Sequence, residues 1–524
     1  MRQTTRLRAR RFSPPPALRV FARPVTAAVV ALLIATFAGT GARAALPGRV
    51  IVVANPALAA AVEPLRLSPA ASSTVISLDD IRTWCTATDC APETVPVYRH
   101  VGPGYFWNHA DLDVTYGAAA YSDTPGLVRA YLKEMHRYPT KIAAAILVGS
   151  LESFPSVTYW DRYATDLYYA DLDGKWDANG NGVLGEVFDL ASNKRCFIIE
   201  GPGTPCDERS FNSYMPEIGV GRIPFDDADT AGAVATKLAA LAAEAAADWR
   251  KNALFMAVST FIQYDNWILQ DLMAKQWESS GEGTTATTLF GESDEVDSSL
   301  PVHPTPDFTL PDDREVAWFA PAQQDGYGLV TWNTHGNGDT AVGVLTADEV
   351  PAVLTDDHPS VMVSFACDNL RAYEVCAYAT KKSDGGTSYV DHCGWYSGEK
   401  LQVGETSTGK PVIIALAPNL GHAVMKTGAA GFLGSLETVH PGTTALGAIV
   451  GARESMEEFA AGSTLAEVHA ETLRDYDLTC VDAIGLLNPC GYVNEDGSTD
   501  YDSMYKNMFT YTIYGDPLYR VVAD

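Results

Sequence analysis

Two short apolar runs constrain this chain more than any other feature: Gly328-Leu-Val-Thr-Trp-Asn-Thr-His335-Gly336 and Val361-Met-Val-Ser-Phe-Ala366-Cys367-Asp-Asn369. Each is rich in β-branched and apolar residues, too short for a helix of its own, and bounded by Gly, Asp or Asn. Such runs read as strands buried on both faces of a parallel sheet. One ends in His, the other in Cys. Functional groups of open α/β sheets gather at the carboxyl ends of the strands. The two side chains are therefore expected side by side above the sheet.

That pair has a chemistry. A thiol is mostly protonated at neutral pH, and a neighbouring imidazole lowers its pKa and holds the reactive thiolate. The same imidazole can then hand a proton to a leaving amine. Gly336 has no Cβ, so backbone can approach a substrate there, and its N–H together with that of Cys367 is a candidate oxyanion hole. Taken singly, His335 reads better as a core histidine and Cys367 as a buried structural thiol. Taken together, at the ends of two strands, they shift the balance toward the reactive pair.

The cysteine count points to the same thiol. Nine cysteines are present, an odd number. Pairing by proximity joins Cys85 to Cys90, Cys196 to Cys206, Cys376 to Cys393 and Cys480 to Cys490. Cys367 is left over, as a reactive thiol in a secreted chain would be. A bond from Cys367 to Cys376 would close a shorter loop than Cys376 to Cys393, and would remove the nucleophile.

Secretion is expected from the first 44 residues, which hold eight Arg and no acid, the apolar run Val25 to Phe37, and the small-residue site Ala42-Arg-Ala44. This is the pattern of a signal peptide; an uncleaved anchor is the alternative. No later segment offers the ~20 apolar residues of a transmembrane helix, so no transmembrane anchor is expected in the mature chain, which is placed outside the cell or in a periplasm. Of 37 basic residues eight lie in the leader, leaving 29 against 65 acids, a mature net charge near −36. Such a surface excludes nucleic acid as a partner and suits cations.

Along the mature chain, strand and helix signals alternate. Arg49 to Ala54 reads as a strand, Pro125 to Tyr138 as an amphipathic helix, Ile142 to Val148 as a strand, and Asp226 to Trp249 as an Ala-rich helix. The alternation restarts with strand Leu254 to Val258 and helix Trp267 to Trp277. The expected class is α/β with a doubly wound parallel sheet. About 480 residues allow two or three units at roughly 100 to 200 each. The division expected is a leader over 1–44, an α/β subdomain over 45–250 and a catalytic α/β subdomain over 251–524.

A candidate calcium loop lies in the first subdomain. Asp177, Asn179 and Asn181 alternate ahead of Gly182, like the opening of an EF-hand loop in which oxygen ligands converge around a sharp turn. Phe188 occupies the position of the usual bidentate Glu, and Glu186 is taken as the substitute, with Asp189 as the other choice. A structural calcium ion held by Asp177, Asn179, Asn181 and Glu186 is expected. The alternative is an Asn/Gly-rich turn that needs no ion.

With Thr334-His335-Gly336 and Phe365-Ala366-Cys367 in place, the chain resembles the gingipain-type cysteine peptidases, relatives of the caspases and legumains. Further segments match in order: Ala143 to Ser150, Thr165 to Gly174, Pro216 to Pro224, Gly431 to Ser435 and Tyr514 to Leu518. The resemblance implies a caspase-like fold and a cysteine endopeptidase acting on protein or peptide substrates, with Cys367 as nucleophile, His335 as base and the Gly336 amide at the oxyanion. Departures are specific. Where gingipains place an acid for a basic substrate side chain, this chain has Ser213 and Thr444, with Glu437 the nearby carboxylate. Where an acid steers the catalytic His, it has Thr260, with Asp265 as a stand-in. These departures point either to catalysis by a Cys/His dyad without basic specificity or to a catalytically inactive homologue acting as a calcium-dependent binding or surface protein. An acyl transferase using the same dyad is a third option.

Overall fold

A computed structural model of the chain describes residues 49–67, 72–97, 120–137, 141–151, 153–159, 163–177, 184, 215–243, 247–259, 266–293, 307–310, 326–336, 338–367, 369–370, 374–376, 378–381, 387–390, 401–405, 411–415, 419–436, 455–476, 492–493, 499–500 and 509–522. The leader over 1–44 lies outside them.

Eleven strands form one sheet. In chain order they are β1 (Arg49–Ala54), β2 (Ser72–Ser77), β3 (Ile142–Val148), β4 (Gly219–Ile223), β5 (Asn252–Ser259), β6 (Thr285–Ser293), β7 (Phe308–Leu310), β8 (Leu329–Asn333), β9 (Ser360–Ser364), β10 (Ala429–Ser435) and β11 (Tyr511–Gly515). Across the sheet they run β7-β6-β5-β8-β9-β10-β11-β4-β3-β1-β2. Neighbours are parallel everywhere except at β10/β11, which pair antiparallel from Gly431↔Gly515 to Ser435↔Tyr511. The sheet thus contains two parallel sets pointing in opposite directions. The strands expected at 49–54 and 142–148 occupy those residues, and the one expected at 254–258 is found with its ends extended by two residues and one.

The helices follow from the same alternation. Among the described residues the longer ones are α1 (Leu78–Thr88), α2 (Thr124–His136), α3 (Ala228–Ala243), α4 (Asn266–Ser280), α5 (Leu420–Lys426) and α6 (Leu465–Tyr476). Ser77 caps α1 through a capping box with Asp80, which satisfies two backbone donors the helix leaves open. Helices cover both faces of the sheet. On one face Val52, Ala54, Met256, Val330, Trp332, Met362 and Phe432 pack against α3 and α5 in a continuous core. On the other, Ile51, Val53, Ala145 and Leu147 meet α1 and α2, while Phe255, Leu329, Val361 and Val363 meet α4 and α6. Burial on both faces is why these strands read as unbroken apolar runs. Among the described residues no helix is long and apolar enough to cross a membrane.

β11 is tied to its parallel neighbour β4 by a buried charge pair. β4 and β11 share the register pairs Ile513↔Gly221 and Tyr514↔Arg222. The Arg222 guanidinium is fully buried and ion-paired with Asp166. It also donates to the Phe154 carbonyl at 2.8 Å. The Asp166 carboxylate accepts from Ser156 Oγ at 2.5 Å and from Thr512 Oγ1 of β11 at 2.9 Å. Burial pushes the Asp166 carboxyl up, but the Arg222 charge and these hydrogen bonds prevail and hold it below the ordinary carboxylate value. Gly515, at φ 103°, occupies backbone space a side chain would strain.

Candidate functional site

β8 and β9 pair in parallel from Leu329↔Val361 to Trp332↔Ser364. The Phe365 N–H continues the ladder to the Trp332 carbonyl at 2.9 Å. Three residues past Trp332 is His335, and three past Ser364 is Cys367, so the two candidates leave the sheet at one level. Beyond them the backbones converge. A Cβ built on Gly336 would lie 2.7 Å from the Cys367 carbonyl oxygen and 2.8 Å from the Ala366 Cβ. Only a glycine fits that approach without movement of the cysteine loop.

The His335 loop turns back on itself. Gly336 bridges antiparallel to Ala341, the Val342 N–H donates to the His335 carbonyl at 2.8 Å, and the Thr334 hydroxyl donates to the Val342 carbonyl at 2.8 Å. In this bridge Gly336 occupies the position whose own N–H is outside the ladder. His335 is half-buried, and burial lowers its pKa below the ordinary histidine value. Among the described residues no charged group offsets that direction. The imidazole is therefore neutral at pH 7, the form that accepts a proton. Thr260 and Asp265, the positions considered for a third member, lie outside the described residues, as do Ser213, Glu437 and Thr444.

Cys367 is half-buried and not in a disulfide. The alternative bond to Cys376 is not formed. Of the expected pairs, Cys85–Cys90 is a disulfide, at the carboxyl end of α1. The pairs that include Cys196, Cys206, Cys393, Cys480 and Cys490 involve residues outside the described ones.

Sequence reasoning missed the residue that joins the two loops. Asn369 is fully buried. Its Nδ2 donates to the Thr340 carbonyl on the histidine side at 3.0 Å and to the Cys367 carbonyl at 3.2 Å. Its Oδ1 accepts from Ser364 Oγ at 2.7 Å and from Trp332 Nε1 at 3.4 Å. Two donors and two acceptors are all used, the full capacity of an amide. A polar side chain two residues past a candidate nucleophile was the available signal, but its partners are set by the fold. The first turn of α5 is tied to both loops: the Leu420 and Gly421 N–H groups donate to the Gly338 and Asn369 carbonyls at 2.8 and 3.0 Å.

Of the candidate calcium ligands, Asp177 is half-buried, while Asn179, Asn181 and Glu186 lie outside the described residues. The described residues contain no group of three or more His, Cys, Asp or Glu side chains arranged for a metal. The approach to this loop is firmly built. Arg129 on α2 donates to the Asp171 and Gly174 carbonyls at 2.9 and 2.6 Å, and Glu217 accepts from the Leu172 N–H at 2.5 Å. The Asp171 carboxyl itself is buried. Its Oδ1 accepts from the Gly174 N–H at 2.8 Å, and among the described residues its Oδ2 has no hydrogen-bond partner.

Burial and then the Glu217 charge push Asp171 up to about 7. A raised carboxyl favours the native state while it is protonated, so its contribution is complete below about pH 4 and is lost as pH rises through 7. Asp171→Asn is accordingly expected to raise the melting temperature at pH 8 and leave it nearly unchanged at pH 4.5, measured by calorimetry. Equal shifts at both pH values would remove this account.

The model of peptidase family C25 matches residues 98–522 of the chain. Among solved structures, the chain is similar to the Arg-specific cysteine proteinase gingipain R, at 12% identity and TM-score 0.50, covering 92% of this chain and 80% of that one. It is equally similar to the complex of Porphyromonas gingivalis RgpB pro- and mature domains, at 12% identity and TM-score 0.50, covering 91% and 80%. At that identity the likeness concerns the fold, the caspase-like α/β arrangement that the resemblance implied. No curated protein sequence matches.

Proposed function

The chain belongs to peptidase family C25, the gingipain family of cysteine peptidases, and from that membership we propose that it is a secreted cysteine endopeptidase acting through a Cys367/His335 dyad. The observation that carries the reading is the convergence of the two strand ends, with Gly336 pressed against the Cys367 backbone and Cys367 outside any disulfide.

In this reading neutral His335 takes the Cys367 proton and the thiolate attacks the scissile carbonyl. The Gly336 and Cys367 N–H groups hold the oxyanion. His335, now protonated, gives the proton to the leaving amine as the C–N bond breaks, which leaves a thioester. It then takes a proton from water, whose oxygen displaces Cys367 and releases the acid. A third residue would orient the imidazole without being a reactant, so a dyad suffices. Secretion is supported by the basic, apolar leader and by the Cys85–Cys90 disulfide, a bond of oxidising compartments.

The test is labelling of the full chain with iodoacetamide and peptide mapping, alongside cleavage of a peptide mixture bearing every residue at the scissile position. Fast labelling at Cys367 with cleavage of the mixture is expected. A slow, ordinary thiol and no cleavage would leave the inactive, calcium-dependent binding homologue as the account.

Calcium is proposed as a structural ion, with Asp177, Asn179, Asn181 and Glu186 as ligands. A ligand that binds only the native state stabilises it by about 2.7 kcal/mol at a hundred times its Kd. Millimolar calcium is expected to raise the melting temperature of chelator-treated protein by a few degrees. An unchanged melting curve would support the ion-free turn.

A further inference from the structure

Peptide planes on both sides of the Cys367 N–H are fixed by side chains. The peptide before it is held by the Ala366 N–H, which donates to Ser364 Oγ at 3.2 Å. The peptide after it is held by the Cys367 carbonyl, which accepts from Asn369 Nδ2 at 3.2 Å. Ser364 Oγ in turn donates to Asn369 Oδ1 at 2.7 Å, so one buried Ser/Asn pair grips both flanks. The peptide between, which carries the Cys367 N–H, has little freedom to turn.

The second Asn369 donor reaches the Thr340 carbonyl at 3.0 Å, which ties this grip to the histidine loop. From this geometry we propose that Asn369 is a positioning residue: its amide, with Ser364, orients the Cys367 N–H toward the oxyanion that forms when the thiolate attacks. The assignment rests on the peptidase reading and names a residue that reading does not use.

Oxyanion stabilisation and thiolate reactivity can be measured separately. Alkylation by iodoacetamide displaces iodide from a saturated carbon and develops no oxyanion, whereas peptide cleavage does. Removing one oxyanion donor costs about 10²–10³ in turnover, and misaiming one costs a comparable amount. Asn369→Asp keeps the shape but, once ionised, turns two donors into acceptors facing two carbonyls. Protonated, it recovers one donor.

The full chain carrying Asn369→Asp or Ser364→Ala is compared with wild type for kcat and KM on the peptide mixture, for the Cys367 alkylation rate, and for melting temperature. Expected for Asn369→Asp at pH 8 is a kcat about 100-fold lower with KM within about threefold. Part of that loss should return as pH falls, while alkylation changes by less than about tenfold. Ser364→Ala is expected to lose about tenfold in kcat and keep its alkylation rate.

A folded Asn369→Asp chain with wild-type kcat overturns the assignment, as does one whose alkylation falls as far as its turnover. Where Asn369→Asp does not fold, Ser364→Ala decides: full kcat in that variant overturns it. A wild-type chain that cleaves nothing overturns the peptidase reading and this assignment with it. Cleavage by wild type with unaffected variants overturns the assignment alone.

Discussion

Replacing His335 by alanine is expected to lower peptide cleavage by at least about 10⁴-fold while slowing Cys367 alkylation at pH 6.5 only about five- to tenfold. The two numbers differ because the imidazole has several tasks and alkylation uses one. Without a base beside it a thiol relies on its own ionisation, and an ordinary thiol of pKa near 8.5 is about 1% thiolate at pH 6.5. A thiolate of lower pKa is also a weaker nucleophile, with a Brønsted slope of about 0.4–0.5, which offsets most of the gain in its population. Cleavage in addition needs the proton delivered to the amine and removed from water, and losses of one member of a catalytic set reach about 10⁴–10⁶. The variant should fold, since His335 sits in a loop past β8 and is only half-buried. Cleavage that survives within tenfold of wild type, in a folded variant, would exclude His335 as the base. Because burial lowers the His335 pKa, the neutral base persists to lower pH than for a free histidine, and the acid limb of the cleavage profile should lie accordingly.

The second large effect is on stability. Asp166→Ala is expected to cost about 3–5 kcal/mol, because it leaves the Arg222 guanidinium charged, fully buried and without its counter-ion. That is a large part of a total stability of about 5–15 kcal/mol. The loss comes from the orphaned charge more than from the pair itself, so Asp166→Ala combined with Arg222→Met should be less destabilised than Asp166→Ala alone. Urea unfolding midpoints of the wild type and the two variants provide the check. A double variant less stable than the single one would mean that the orphaned charge is not the source of the loss. The sign with pH follows from the lowered Asp166 pKa: its contribution is present above the ordinary carboxylate pKa and is lost as pH falls through the native-state value.

What could be read in the sequence was what local pattern records. β8 and β9 are apolar because both faces are buried, so their runs, and the His and Cys that end them, stood out. The odd cysteine singled out the same thiol, and Cys85 and Cys90 are close enough in sequence to pair by proximity. What escaped was whatever depends on distant partners. The motifs containing Asp166 and Arg222 were visible, but their meeting spans 56 residues. Asn369 looks like any turn residue until the fold brings Thr340, 29 residues away, against it. The antiparallel step at β10/β11 was equally hidden, since β11 reads as one more apolar strand and nothing in its residues states its direction.

The placement of β11 has a consequence for how the chain reaches its native state. β11 lies between β4 and β10, and its Thr512 contacts Asp166 across 346 residues of sequence. Until β11 arrives, β4 and β10 are two open edges, each presenting unpaired backbone groups that template pairing with another chain. Contacts of such separation form late and slowly. Two half-sheets can collapse early on their own helices, yet they remain separate bodies until the strand slides between them, and during that interval the chain is most prone to aggregate. Loss of residues 511–515 would therefore do more than remove five residues: it would leave two sticky half-sheets in place of one closed structure.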